Sequence, residues 1–181
     1  MENIGVSVLK ERELKFFPPF LFYVLGLGCY LSTLLPYVDV LIPQKLPENI
    51  IDKVHYLDYI IALAAFFILL LGVFFEGIVM FLIANFLGAK VKLKYFLTLF
   101  TVANLPMALR FIVISIKNVF VSHPGTYLIF SRSNKLLSAL DLFNLAYLVI
   151  LFLLLKNRTE LKNNFSLGVF IIIAFIYRMI F

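Results

Sequence analysis

The stretch "FILLLGVFFEGIVMFLIANF", Phe67 to Phe86, decides the fold: twenty residues of nearly unbroken hydrocarbon, interrupted near the middle by one carboxylate, Glu76. A run this long and this apolar matches the hydrocarbon thickness of a bilayer when wound as a helix. An ionised group at that depth costs about 3 to 10 kcal/mol depending on the reference state, so Glu76 requires a partner inside the protein.

Outward from this stretch the whole chain has the same character. Of 181 residues 63% are hydrophobic and 14% charged, whereas a soluble globular chain carries about 25% charged residues. The single cysteine, Cys29, excludes a disulfide framework or a cysteine metal site within one chain. Trp is absent, so an interfacial aromatic belt falls to nine Tyr and some of the 21 Phe. The net charge of +6 comes from short basic clusters beside apolar runs. There the natural partner is an anionic lipid headgroup rather than nucleic acid.

Five apolar segments follow one another, at about 20–38, 59–87, 95–119, 136–155 and 165–181. The expected fold is therefore all-α: one polytopic integral membrane domain over 1–181, a bundle of about five transmembrane helices. Pro18 and Pro19 open the first segment, where a fixed φ suits a first helical turn. The second, at 29 residues, reaches about 43 Å as a helix against a core of about 30 Å. It must tilt, kink near Gly72 or Gly77, or project into the cytoplasm. The third contains Pro106, tolerable where neighbours re-satisfy the freed carbonyl. Residues 1–17 are too polar to span, but Val6, Leu9 and Leu14 recur at helical spacing with Lys10 and Lys15 between them, the pattern of a short interfacial helix on the cytoplasmic leaflet.

Basic residues orient the spans. Nine (Lys10, Arg12, Lys15, Lys90, Lys92, Lys94, Lys156, Arg158, Lys162) fall on one side of the alternation and five (Lys45, Lys53, Lys117, Arg132, Lys135) on the other. The imbalance places the N-terminus in the cytoplasm and the C-terminus outside. The first run lacks a small-residue cleavage site and reads as a retained span.

With this topology the charges inside the spans fall in one layer. Counted from the cytoplasmic ends at 1.5 Å per residue, Glu76 lies about 18 Å deep, Arg110 about 22 Å, Asp141 about 21 Å and Arg178 about 20 Å. Two acids and two bases sum to zero. Glu76 is expected to face the bundle interior and pair with Arg110, Asp141 serving as second partner of the guanidinium. Arg178, close to the C-terminus, has the alternative of snorkelling outward. Asn144 and Ser138, three residues either side of Asp141, extend the polar patch. Such a cluster serves one of three ends: a lock on helix packing, a site for a proton, ion or headgroup, or a contact with a partner's span.

Other features are weaker. Gly26-x-Gly28 sits inside a span and reads as helix packing, with Gly28 and Ser32 as a small-xxx-small pair. Asp52, His55 and Asp58 share a spacing of three, but a solvated face explains them better than a metal site, and no cofactor is expected. The sequons at Asn157 and Asn164 fall on the cytoplasmic side. Lys90, Lys92 and Lys94 alternate with Val91 and Leu93, an arrangement suited to headgroup contact at about 1 kcal/mol per ammonium. No nucleophile elbow, phosphate loop or zinc-protease motif occurs.

The proline pair, the loop in "FLGAKVKLKYFLTLF", the central proline of "TVANLPMALR" and the opening of "LLSALDLFNLAYLVILFLLL" together resemble the Yip (Ypt-interacting protein) family of five-span membrane proteins. The resemblance maps the family's glycine-lysine loop to Gly88, Lys90 and Lys94, its span proline to Pro106, and its leucine-aspartate-phenylalanine motif to Leu140, Asp141 and Phe143. It implies a non-enzymatic accessory or adaptor protein of membrane transport or trafficking machinery. The short N-terminal region is similar to prokaryotic members and lacks the length with which eukaryotic ones contact small GTPases. Expected partners are anionic lipid and another membrane protein or a second copy of the chain. The competing expectation is a small transporter or channel that uses Glu76, Arg110 and Asp141.

Overall fold

A computed structural model describes residues 14–35, 48–121 and 140–180, with the backbone alone over 48–58. Every regular element among the described residues is a helix, and none is a strand. The elements are α1 (Phe17–Ser32), α2 (Glu48–Phe86), α3 (Leu93–Ala103), α4 (Leu105–Phe120), α5 (Leu142–Arg158) and α6 (Asn164–Ile180). Two stretches are long and apolar enough to cross a membrane, Tyr59–Phe86 within α2 and Leu93–Phe120 across α3 and α4. The shorter α1 and α6 are apolar as well. Val6 and Leu9 of the expected interfacial helix, and Ser138, lie outside the described residues, as do the side chains of Asp52, His55 and Asp58.

Sequence cues set the helix ends. Pro18 lies in the first turn of α1 as expected. Helix α2 starts eleven residues before Tyr59 and continues through Gly72 and Gly77, so its 39 residues extend about 58 Å. The excess lies at the Glu48 end and not at the Gly88 end, where projection into the cytoplasm is expected, because the left-handed Gly88 stops the helix there. Its other end is closed by Gly88 at φ 101°, with the Ala89 amide donating to the Ala84 carbonyl and the Gly88 amide to Asn85. This double bond pattern over a left-handed glycine stops a helix while satisfying its last carbonyls. Pro106 lacks an amide to offer Val102, and the chain breaks there into α3 and α4 at Asn104.

Packing gives the directions. Phe81 meets Phe96 edge-on, and a Cβ on Gly77 would stand 3.1 Å from Phe100, so α3 runs antiparallel to α2. Gly26 lies against the Ala108 backbone and Thr33 accepts a bond from Asn118, so α1 runs parallel to α4 and packs chiefly on it. A Cβ on Gly26 would stand 2.8 Å from the Ala108 carbonyl oxygen, whereas one on Gly28 would meet nothing within 4 Å. The close-packing glycine is therefore Gly26. Gly28 and Ser32, expected as the small pair at a helix contact, do not make this one, because they lie on another face of α1.

At one end the two connecting loops are tied together. Asn85 brackets Val91, accepting from its amide at 2.9 Å and donating to its carbonyl at 3.2 Å. The Glu160 amide donates to the Ala89 carbonyl, and Leu161 is buried under the loop. Lys90, at φ 47°, forms an exposed ion pair with Glu160 at 3.5 Å. Of the three loop lysines, Lys90 is thus engaged by protein rather than projecting alone.

Candidate functional site: a buried polar cluster

The break at Asn104 carries the centre of the site. Its backbone amide and its side-chain Nδ2 both donate to the Phe100 carbonyl, which fixes the amide group and turns Oδ1 into the bundle. Arg178 of α6 donates to that Oδ1 through an Nη at 2.7 Å. The same guanidinium brings its Nε to 2.8 Å from Glu76 Oε1, with side chains 15% and 5% exposed. Tyr147 of α5 supplies two contacts: its hydroxyl donates to Glu76 Oε1 at 3.4 Å, and its ring lies 4.6 Å from the guanidinium carbon. A cation over a desolvated aromatic face contributes about 2 kcal/mol or more. Four helical segments thus converge on one carboxylate and one guanidinium.

Arg110 lies elsewhere in the bundle. Its Nε donates to Asp141 Oδ2 at 2.9 Å, with side chains 18% and 13% exposed. The other oxygen of Asp141 accepts from the Phe143 amide, so the residue caps α5 at its N-terminus. A carboxylate there also complements the helix dipole.

Two sequence expectations are corrected here. The Glu76 partner is Arg178, not Arg110, and Asp141 is the sole acid on Arg110 among the described residues. Helix α5 begins at Leu142, six residues later than the apolar run, so Asp141 is a helix cap rather than a mid-helix residue. The physical reason is that capping and pairing satisfy both Asp141 oxygens at once, which a mid-helix position would not. Arg178 turns inward instead of snorkelling. Asn144 is buried, as a polar residue of the layer should be. Sequence reading missed Asn104 and Tyr147; the signals were a polar residue two positions before a span proline and a tyrosine in the middle of the fourth apolar run.

Chemically, the cluster consists of two internally neutral pairs. Among the described residues no group of His, Cys, Asp and Glu is arranged to hold a metal ion. Comparison with protein-family models, with curated proteins and with solved structures gives no match.

Proposed function

We propose that the chain is a multi-pass membrane protein of five spans, N-terminus in the cytoplasm, acting as a non-enzymatic accessory or adaptor subunit of the Yip type. The observation that carries this reading is the division of labour in α2. From Glu76 to Ala84 the helix supplies buried residues to the core, while from Tyr59 to Phe75 it buries none. Only 17% of its most apolar stretch is buried, against 50% for the stretch across α3 and α4. A long, apolar helix with one half in the core and the other largely exposed suits contact with a second membrane protein. The neutral pairing of Glu76 with Arg178 and of Arg110 with Asp141 fits a packing lock better than an ion path, because neither pair leaves a charge over for a passing ion. A photo-crosslinking residue at Phe67, Ile68 or Leu71 in native membranes should give one discrete protein adduct. Adducts with lipid alone would remove the accessory reading.

A second reading rests on the convergence of four segments at mid-depth: a small transporter in which Glu76 exchanges a proton or ion. It predicts cation or proton uptake into proteoliposomes that is lost when Glu76→Gln is combined with Arg178→Gln, although the protein remains folded.

A further inference from the structure

A shallow apolar groove, open on one side, lies between α1, α2 and α3. Phe16 and Phe20 form one wall, Leu70 and Phe74 the second, Leu97 and Thr101 the third. All six are half-buried, so the groove is shallow and open, while Tyr23 and Asn104 behind it are buried. Its rings are fixed by contact with one another: Phe16 stacks on Phe20 at 5.2 Å, and Phe20 meets Phe74 edge-on at 5.5 Å. A recess in a membrane-facing surface fills with hydrocarbon, since unfilled walls forfeit dispersion contacts.

The charges at one end specify which hydrocarbon. Lys94, Leu97 and Thr101 share one face of α3 at i, i+3 and i+7, and Lys94 lies about 4.5 Å nearer the helix start than Leu97. Lys15 immediately precedes Phe16, and both α1 and α3 begin at this end of the molecule. Lys15 and Lys94 are exposed and, among the described residues, without an acidic partner, unlike Lys90. The geometry points to a binding site for one anionic phospholipid, an acyl chain lying in the groove and the headgroup phosphate held between Lys15 and Lys94. The site requires the membrane placement but not the accessory role.

The test is native mass spectrometry of the full chain released from detergent, loaded with palmitoyl-oleoyl phosphatidylglycerol or with the phosphatidylcholine of the same chains. Phosphatidylglycerol should be retained preferentially. Lys15→Gln with Lys94→Gln should weaken retention about thirtyfold, the fold-change for two ammonium groups at about 1 kcal/mol each. Lys156→Gln with Lys162→Gln, in the last turn of α5 and in the loop that follows it, should leave it within about threefold, less than the effect of one such group. Leu70→Trp, which fills the groove from its open side, should lower retention of both lipids while the melting temperature stays unchanged. Equal retention of the two lipids would overturn the proposal, as would an equal loss in the control pair, which would mean diffuse basic attraction. An unaffected Leu70→Trp would mean that no chain enters the groove, and displacement by inorganic phosphate would mean a phosphate site without a lipid. Deleting residues 2–13 should change nothing; increased retention would identify the chain's own N-terminal segment as the occupant.

Discussion

Arg178 Nε stands 2.8 Å from Glu76 Oε1 at a point where the carboxylate is 5% exposed, which makes the last helix the counter-ion of the second. Removing one partner strands the other charge in a low-dielectric bundle at a cost of about 3 to 5 kcal/mol, whereas removing both strands none. Glu76→Gln and Arg178→Gln should therefore each lower the melting temperature in detergent. The double variant should recover about 1 to 3 kcal/mol relative to their sum. Glu76→Gln with Arg110→Gln should instead be additive, because those residues belong to different pairs. A cycle with the reverse pattern would contradict the pairing.

Asp141 has two separable duties. Asp141→Asn keeps an oxygen for the Phe143 amide but removes the charge facing Arg110, while Asp141→Ala removes both. The cap alone accounts for about 1 kcal/mol. Denaturation in detergent should rank the alanine variant below the asparagine variant by about that amount, and equal stabilities would mean that the cap contributes nothing.

The apolar helices and the burial of charges among them were legible because both follow from composition and hydropathy. The wiring of those charges was not. Residue counts along the apolar runs give Glu76, Arg110 and Arg178 similar expected heights, but which pairs meet depends on the neighbours of each helix, and sequence spacing carries no such information. Asp141 shows a second limit: the apolar run continues six residues above Leu142, so hydropathy reads on past the point where the cap ends the helix. Gly26 and Gly28 show a third, since both are small residues in the same run and only the rotation of α1 against α4 tells which is buried.

The glycines of the helix contacts divide by what an added methyl would meet. Gly26→Ala drives a Cβ to 2.8 Å from the Ala108 carbonyl oxygen, backbone that cannot step aside, so α1 and α4 must separate. The cost should be about 1 to 3 kcal/mol. Gly77→Ala meets side-chain atoms rather than backbone, the end of Leu97 at 2.9 Å and the Phe100 ring at 3.1 Å, and should cost less. Gly28→Ala enters open space and should be neutral or stabilising by about 0.5 to 1 kcal/mol through helix propensity. Thermal unfolding of the three variants checks the order, and a destabilised Gly28→Ala would place a contact on that face of α1.

The hydrogen bond from the Glu160 amide to the Ala89 carbonyl joins the α2–α3 loop to the α5–α6 loop, so both must lie on one side of any membrane the protein spans. Antiparallel α2 and α3, and α4 ending beside the end of α1, put Val121 at the opposite end. In a Cys29→Ser background, single cysteines at Lys92 and at Lys162 should therefore react with an impermeant maleimide from the same side of sealed vesicles, and one at Val121 only from the other. The basic residues add the sign: Lys92 and Lys162 belong to the set of nine, so their side should be the cytoplasmic one. If Lys92 and Lys162 label from opposite sides, the five-span alternation fails. If they agree but face outward, the bundle stands and only the orientation is inverted.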